Sequence, residues 1–258
     1  MILQDKMIVK AQRQIAQGIF EMRLTGKLVG EITSPGQFVH VRVADSFEPL
    51  LRRPISIASI CNELNEMTII YRAEGRGTTM LAKKREGDEV DVLGPLGNGF
   101  PVDETAPGET AILIGGGIGV PPLYELSKQL TAKGVKCVHV LGFQSADVAF
   151  YEEEFKQLGD TYIATVDGSL GTGGFVTNVM ENLDEEFATY YSCGPMPMLN
   201  AVQTAYTGKK GFLSFEQRMG CGIGACFACV CQTTDQTDKA YIKVCSDGPV
   251  FPAGVVSI

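Results

Sequence analysis

Four cysteines near the C-terminus carry the clearest chemistry in this sequence. Cys221, Cys226 and Cys229 follow the spacing C-x4-C-x2-C, and Cys245 comes sixteen positions after the third of them. This spacing is the plant-type pattern of [2Fe–2S] ligands, in which three thiolates of one loop and one more distant thiolate enclose two irons. We therefore predict one [2Fe–2S] cluster on these four residues. Cys231 falls outside the pattern and is predicted not to be a ligand.

The residues between the ligands favour the cluster over its alternatives. Gly220, Gly222 and Gly224 let the backbone wrap closely around sulfur atoms and aim N–H groups at them. A four-cysteine zinc site usually has two C-x2-4-C pairs, and only one is present here. A disulfide framework is typical of small secreted proteins, and Met1–Lys6 lacks the apolar core of a signal peptide. Both alternatives stay open at this stage.

Composition and charge limit the classes of function. The chain has 258 residues, of which 45% are hydrophobic, and a net charge of −8. This charge argues against binding to nucleic acid or to an anionic membrane surface, and no apolar run approaches the length of a membrane span. Eight cysteines together with a cluster motif predict a reducing compartment, the cytoplasm. His40 lies in an alternating run, so we interpret it as a strand residue, whereas Cys61 and Cys137 lie in apolar runs and are predicted to be buried.

The predicted secondary structure that must position these residues changes along the chain from strands alone to alternating strands and helices. Short runs rich in Val and Ile, separated by turn residues, fill about the first hundred residues and predict a small antiparallel β barrel. After Thr105–Gly108, strands alternate with helices, which predicts an α/β domain with a parallel sheet covered on both faces. The last segment is too short for its own core, so the cluster must supply part of its folding energy. We expect domains at residues 1–104, 105–215 and 216–258.

Two glycine-rich turns could bind phosphate groups. Gly115–Pro122 directly follows a predicted strand and directly precedes a predicted helix. There the backbone can approach a pyrophosphate, and the helix N-terminus favours its negative charge. Gly75–Thr79 lies at a strand-to-helix junction within the barrel and could offer N–H groups and a hydroxyl to a diphosphate. A purely structural turn explains each string equally well.

A third candidate phosphate site is the segment Leu51–Ile57. Arg53 and Ile55 share one face of a predicted strand, and the Arg53 guanidinium could bind a phosphate. Ser56 points to the opposite face of a regular strand, so it needs a bulge or contributes only its backbone N–H. An ordinary surface arginine accounts for this segment as well.

In combination, these motifs resemble the ferredoxin-NADP reductase superfamily. The Arg53–Ser56 strand and the Gly75–Thr78 turn are among these motifs. The strings Pro35–Phe38, Gly94–Gly97, Gly115–Pro122 and Cys193–Pro195 follow the superfamily's order, and the resemblance covers about the first 215 residues. In that superfamily the barrel binds a flavin and the sheet domain binds a nicotinamide dinucleotide. The contacts that the resemblance implies for FAD are Arg53, Pro54, Ile55, Ser56, Ile70, Tyr71, Arg72, Gly77 and Thr78.

The C-terminal sequence narrows the resemblance to the electron-transfer subunits of B-type dihydroorotate dehydrogenase. Cys221–Val230 and Val244–Phe251 carry it, and the match then extends over essentially the whole chain. It implies FAD, a [2Fe–2S] cluster and NAD as cofactors, and a partner that is the FMN-containing catalytic subunit, in a heterotetramer of two copies of each. Electrons from dihydroorotate would pass from the partner's FMN to the cluster, to the FAD and then, as a hydride, to NAD+ in pyrimidine biosynthesis.

The sheet domain supplies the candidate residues for NAD. Cys193 ends a predicted strand, at the edge where such sheets bind ligands, and is the candidate catalytic residue near the nicotinamide, although a buried strand-end cysteine is the alternative. Gly142–Asp147 follows the second strand of this domain without a basic residue, which favours NAD over NADP. The predicted NAD contacts are Gly115, Gly116, Gly117, Gly119, Pro122, Asp167 and Gly194.

Two other functions remain open. One is the small flavin subunit of a ferredoxin:NAD(P) oxidoreductase or of a sulfide dehydrogenase, which shares this arrangement of motifs. The other is a redox-sensing or scaffolding module that uses the cluster as a switch. Removing hydrogen from dihydroorotate requires a positioned base, and the sequence offers no candidate, so we expect the partner to carry out that step.

Overall fold

The computed structural model of the chain describes residues 1–44, 48–235 and 240–258. Its N-terminal part is a closed, antiparallel six-stranded barrel with the strand order β1-β2-β5-β4-β3-β6. The barrel elements are β1 (Leu3–Ala16), β2 (Ile19–Thr25), β3 (Phe38–Val41), β4 (Arg53–Cys61), β5 (Glu66–Arg72), α1 (Arg76–Leu81) and β6 (Glu89–Leu96). A 3-10 turn at Lys27–Glu31 follows β2. The predicted small barrel is therefore confirmed.

The strand β3 shows how the sequence pattern builds this barrel. Its alternate residues Val39 and Val41 are buried in the barrel core with the valines and methionines of the neighbouring strands. Phe38 belongs instead to a core shared with the sheet domain and the C-terminal segment. Because successive side chains of a strand point to opposite faces, this short strand packs against the barrel interior on one side and the rest of the protein on the other.

The central part of the chain forms a seven-stranded sheet in the order β10-β9-β8-β7-β11-β12-β15. Its strands are β7 (Thr110–Gly116), β8 (Lys136–Phe143), β9 (Gly159–Thr165), β10 (Thr172–Gly173), β11 (Thr189–Cys193), β12 (Gly211–Ser214) and β15 (Val250–Pro252). Its helices are α2 (Val120–Ala132), α3 (Glu152–Lys156), α4 (Val176–Met180) and α5 (Met196–Ala205). Short 3-10 turns lie at Val102–Glu104, Gly117–Gly119 and Ala146–Val148. All neighbouring strands run parallel except β12 and β15, which confirms the predicted α/β domain.

The C-terminal segment is tied to both other parts of the protein. It contains a two-stranded antiparallel ribbon of β13 (Val230–Gln232) and β14 (Tyr241–Lys243), and then β15 returns to the edge of the central sheet. The Asn98 backbone N–H, at the end of the barrel, donates to the Gly248 carbonyl at 2.7 Å. The domain boundary that we expect near residue 216 stays a proposal, because β15 lies beyond this boundary and yet pairs with β12 of the central sheet.

The cysteines outside the cluster motif differ in exposure. Cys137 is buried, as predicted, in the core on one face of the sheet. The expectation for Cys61 was wrong: it is half-buried, because it ends β4 next to the exposed turn that leads to β5. Within the described ranges, none of the helices has the length and apolar character needed to cross a membrane.

Candidate functional site

The barrel has an open seam between β4 and β5. The pairing of these strands begins only at Ile57 and Ile69. Before that point, Arg53–Ser56 pairs with β3 alone, and Ile70–Arg72 pairs with β2 alone. The separation leaves this part of β4 without a partner strand on the β5 side, and residues from both faces of β4 line the space between the two strands. This geometry explains how Ser56 joins the site without a bulge at its own position.

A cavity of about 260 Å³ lies at this seam. The structure brings nearly all of the predicted FAD residues together around it. Those that line the cavity are Arg53, Pro54, Ile55, Ser56, Ile70, Tyr71, Arg72 and Thr78. Gly77 is not among the lining residues, but it determines where one of them can lie.

Gly77 provides the space for the Arg53 guanidinium. A Cβ atom on Gly77 would lie 2.8 Å from Arg53 Nε and 2.9 Å from its Nη2. The guanidinium is also held by a hydrogen bond to the Leu51 carbonyl. Because it carries donors that the neighbouring protein does not use, it can bind an anionic oxygen in the cavity.

Two further residues of the seam differ in what they offer to a ligand. Tyr71 is buried and its hydroxyl donates to Gln12 Oε1 at 2.7 Å, so this hydroxyl already has a partner. Arg72 forms an ion pair with Glu74 at 3.2 Å, but its buried Nε has no hydrogen-bond partner among the described residues. A buried donor without a partner fits a cavity that receives a polar ligand.

A second cavity, of about 620 Å³, lies at the carboxyl edge of the parallel sheet. Four of the residues for which we predict contact with NAD line it: Gly116, Gly117, Gly119 and Gly194. Close packing explains why glycine is needed here: a Cβ atom on Gly119 would lie 2.3 Å from the Cys193 carbonyl oxygen. The glycine turn therefore lies directly against the strand-end peptide, and its backbone faces the cavity.

Three of the predicted NAD residues do not line this cavity. Gly115 lies beneath the turn, where a Cβ atom would lie 2.9 Å from Val120 Cγ2. Pro122 is buried within α2. Asp167 is exposed at the sheet edge and accepts hydrogen bonds from the backbone and the hydroxyl of Ser169, which lower its pKa.

The two cavities meet at Arg72, Ile118 and Glu216, which line both of them. Glu216 is exposed to the two cavities, but partial loss of solvation by the surrounding protein raises its pKa, and the charge of Arg72 opposes this shift. Cys193 lines the seam cavity and is buried at the end of β11, where loss of solvation raises the pKa of its thiol. Two ligands, one in each cavity, would therefore meet beside the carboxyl group of Glu216 and the protonated thiol of Cys193.

Sequence reasoning missed several lining residues. Ser214 ends β12 and Glu216 comes two residues later; the carboxyl end of this parallel strand lies beside that of β11. The rule that identified Cys193 would have found them if this four-residue strand had been recognised. The other lining residues that were not predicted are Phe38, Ile118, Phe215, Gln217, Met219 and Pro249 in the first cavity, and Gly142, Phe143, Gln144, Val148, Val166, Gly174, Phe175, Val176, Thr177, Pro195, Pro197, Met198 and Ala201 in the second.

The four predicted cluster ligands lie around a single loop. The backbone N–H groups of Ile223, Ala225 and Cys226 point at Cys221 Sγ, at 3.3–3.5 Å. Gly224 N–H points at Cys245 Sγ at 3.2 Å. Such N–H···S contacts stabilise thiolates and are a regular feature of iron–sulfur sites.

Further contacts connect the remaining ligands. Cys221 N–H points at Cys226 Sγ, and Cys245 N–H points at Cys229 Sγ, both at 3.4 Å. Burial raises the pKa of the Cys221 thiol, but the backbone donors outweigh it and lower the pKa to about 7. Cys226 is exposed, whereas Cys229 and Cys245 are buried. The donor set and the N–H groups fit a [2Fe–2S] cluster held partly at the surface.

Lys243 holds the outer part of this loop. Its ammonium group donates to the Gly224 carbonyl at 2.8 Å and lies 4.0 Å from the centre of the Phe227 ring. Within the described ranges, no three His, Cys, Asp or Glu side chains converge on one point where a single ion could sit. A two-iron cluster needs no such convergence, because four cysteines are shared between two irons.

Two family models match the chain. The iron–sulfur cluster binding domain of dihydroorotate dehydrogenase B matches residues 216–257, and the oxidoreductase NAD-binding domain matches residues 113–204. The dihydroorotate dehydrogenase B (NAD(+)) electron transfer subunit of Lysinibacillus sphaericus is 67% identical over 258 residues, which is 100% of each chain. The subunit of the same name from Bacillus cereus is 59% identical over 257 residues, 99% of each chain. The chain belongs to this family of electron transfer subunits.

A solved structure of another electron-transfer enzyme is also similar. It is the NADH-dependent reduced ferredoxin-NADP oxidoreductase, studied for flavin-based electron bifurcation. The TM-score is 0.85 at 28% sequence identity, and the match covers 98% of this chain and 89% of that one. The similarity extends over the barrel, the sheet domain and the C-terminal segment, so all three parts of the electron transfer subunit share their arrangement with that structure.

Proposed function

We propose that this chain passes electrons from an FMN-containing dihydroorotate dehydrogenase subunit to NAD+ in pyrimidine biosynthesis. When bound, the [2Fe–2S] cluster carries single electrons, and FAD exchanges single electrons for the hydride that NAD+ accepts. The task of the chain's own residues is to hold these groups close together, to orient them and to exclude water between them.

The observation that carries this proposal is the proximity of the flavin cavity and the cluster loop. Met219 lines the seam cavity, and Cys221, the first predicted ligand, follows only two residues later. Two residues of extended chain span at most about 7 Å. Electrons need no movement of the protein to cross such a separation.

The residues that we assign to each group follow from the cavities. Arg53, together with Gly77 and Thr78, suits the diphosphate of FAD, and Ile55 covers the flavin. Gly116, Gly117 and Gly119 precede the 13-residue helix α2 and suit the pyrophosphate of NAD. Cys193, the candidate catalytic residue, and Glu216 lie where the two cofactors would meet.

The surface of the cluster loop supports docking of a partner. Cys226 is exposed, and the apolar side chains of Ile223 and Phe227 are 52% and 66% exposed. Exposed apolar residues around a redox group are typical of an interface. We propose that the FMN-containing subunit binds here, in a heterotetramer of two copies of each subunit in the cytoplasm.

Reconstitution tests this function. The isolated chain, loaded with FAD and the cluster, should oxidise NADH with dichloroindophenol as acceptor but should not turn over dihydroorotate. Addition of the FMN-containing subunit should restore dihydroorotate oxidation coupled to NAD+. Turnover of dihydroorotate by the chain alone would contradict the proposal.

The docking surface has its own test. Arg218 is exposed and lies just before the loop, so Arg218→Glu should weaken subunit association more than it weakens the NADH–dye activity. Lys209→Glu makes the same change of charge at an exposed position after α5, at the amino edge of the sheet, away from the loop. Association that falls equally in both variants would argue against this surface.

A second candidate function rests on the similarity to the ferredoxin-NADP oxidoreductase structure. In that case the chain would be the small flavin subunit of a complex whose large subunit carries additional iron–sulfur clusters. Purification from the native cell distinguishes the two functions: a partner that holds only FMN supports the first, and a partner with additional clusters supports the second.

A further inference from the structure

His40 is a fully buried imidazole whose polar atoms have no partner among the described residues. It lies on β3, with 0% of its side chain exposed, and neither Nδ1 nor Nε2 forms a hydrogen bond there. The nearest cation, Arg52, is engaged with the His40 carbonyl, the Asp91 carbonyl and the Asp91 carboxylate. Buried polar groups are nearly always paired in native proteins, so this side chain needs a specific explanation.

The face of the His40 ring packs against the cluster loop. A Cβ atom on Gly222 would lie 2.7 Å from His40 Cε1 and 2.9 Å from each ring nitrogen. These nearly equal distances place the atom over the ring face close to Cε1, so Gly222 covers the ring and both nitrogens lie in the ring plane beside the loop. Gly222 directly follows the predicted ligand Cys221 and has a positive φ of 73°.

The other neighbour of His40 belongs to the flavin site. Phe38, two positions earlier on the same face of β3, lines the seam cavity, and its ring centre is 5.8 Å from that of His40. The strand β3 therefore contacts the flavin cavity through Phe38 and the cluster loop through His40, the next residue on the same face. His40 lies in the short interval between the two redox sites.

The imidazole is neutral at physiological pH. Burial, with a smaller contribution from the charge of Arg52, lowers the pKa of His40 to about 4. A neutral ring has one N–H donor and one acceptor nitrogen. The donor is thus available for a group held by the loop, without the cost of a buried charge.

We propose that His40 is a positioning residue for the cluster, which donates its ring N–H to a sulfur of the bound [2Fe–2S] group and seats the loop through Gly222. The proposal deepens the electron-transfer function and rests on it. Hydrogen bonds to cluster sulfurs raise the reduction potential, because they stabilise the additional negative charge of the reduced state. His40 would therefore favour the arrival of electrons at the cluster beside the flavin.

The first test is a redox titration of the holoprotein, followed by electron paramagnetic resonance of the reduced cluster. His40→Phe keeps an aromatic ring but removes the N–H. At the wild-type midpoint potential, its ratio of reduced to oxidised cluster should fall about tenfold, a midpoint decrease of about 59 mV for one electron. His40→Gln, which retains an N–H donor, should recover part of this decrease. An unchanged midpoint potential in His40→Phe would show that His40 only packs against the loop, and this result would overturn the proposal.

The second test does not depend on the stability of a variant. The chain has two histidines. The other one, His139, is buried on β8 of the sheet domain, and its two ring nitrogens form hydrogen bonds with Ser127 and Thr161. Wild-type holoprotein labelled with 15N-histidine should show a nitrogen coupling to the reduced cluster in pulsed paramagnetic resonance. The coupling should persist in His139→Gln, and its absence from the wild type would overturn the proposal.

Iron analysis distinguishes a failure of this inference from a failure of the proposed electron-transfer function. A chain that binds no [2Fe–2S] cluster, by iron content and visible absorption, would contradict the proposed electron-transfer function itself. A chain with an intact cluster but no histidine coupling would contradict only the role of His40.

Discussion

Replacing Gly77 with alanine tests the proposed flavin phosphate site at one defined point. The new Cβ atom would lie 2.8–3.0 Å from Nε, Nη2 and Cζ of Arg53, whereas comfortable contacts begin near 3.5 Å. The guanidinium is the end of a flexible side chain, so it should move while the backbone stays in place. Its hydrogen bonds to the FAD diphosphate should then weaken or break.

The expected magnitude follows from the value of such a bond. A hydrogen bond to a charged group contributes about 1.5–3 kcal/mol, and each 1.4 kcal/mol changes a dissociation constant tenfold. Loss of one bond should therefore weaken FAD binding by about 10- to 150-fold. The fold itself should not suffer, because alanine is better than glycine in a helix by up to about 1 kcal/mol. The expected signature is weaker FAD binding without loss of thermal stability of the deflavinated chain.

The assay is a fluorescence titration of the deflavinated chain with FAD, together with thermal unfolding of the same chain before FAD is added. Gly75→Ala is the matched control, because a Cβ atom there meets nothing within 4 Å. Arg53→Ala should release FAD and leave the iron content and visible absorption of the cluster largely intact. The reasoning fails if Gly77→Ala binds FAD as tightly as Gly75→Ala, or if acid extraction of the isolated chain yields FMN as its only flavin.

Three further predictions concern the cluster, the nucleotide and pH. Cys226→Ser should lose the iron and the visible absorption, whereas Cys231→Ser should keep both. The reason is that Cys231 lies in the β13–β14 ribbon, where it pairs with Ile242, and not in the cluster loop. Iron loss in Cys231→Ser would contradict the ligand assignment. Gln144→Arg, in the lining of the sheet-edge cavity, should lower the KM for NADPH relative to NADH, since a guanidinium can accommodate the 2′-phosphate; an unchanged ratio of the two KM values would argue against this location of the ribose. Burial lowers the pKa of His139 from 6.5 to about 4, so between these values the unfolded chain binds a proton that the native state does not. The free energy of unfolding should fall by up to about 3 kcal/mol as pH decreases through this window, and urea denaturation of His139→Gln should show a shallower decrease than the wild type.

Local sequence patterns were sufficient for the features that depend on local geometry. The cysteine spacing predicts the loop because three ligands lie within nine residues, and the N–H···S contacts of the structure surround those sulfurs. The strand that is predicted to end at Cys193 is also observed, because β11 ends at this residue. These inferences need no knowledge of how distant parts of the chain pack.

Glycines illustrate what a pattern cannot resolve. Gly115 and Gly116 are neighbours in the same turn, yet Gly115 makes room for Val120 and Leu123, whereas Gly116 makes room for Met198 and lines the cavity. The string alone cannot separate a glycine that packs beneath the turn from one that faces a ligand. That distinction depends on which side chains of distant helices approach the turn.

Short strands illustrate a second gap. The four residues of β12 have too little alternation to be recognised alone, and their place beside β11 is set by tertiary packing. Missing this strand also hid Glu216, although the residue follows a parallel strand at the edge where ligands bind. The contact between His40 and Gly222 joins residues that are far apart in the sequence, and no local pattern indicates it.

The arrangement around β12 determines how the three redox sites relate to one another. The chain leaves this strand through Ser214, crosses the junction of the two cavities at Glu216 and reaches the first predicted ligand at Cys221. Past the cluster, β15 pairs with the same strand again. A displacement of the cluster segment would therefore break strand pairing in the central sheet and disturb the flavin cavity at once. The separation of flavin and cluster is consequently a fixed property of the fold, whereas the transfer from a partner depends on how that partner docks, which we propose to occur at the exposed loop around Cys226.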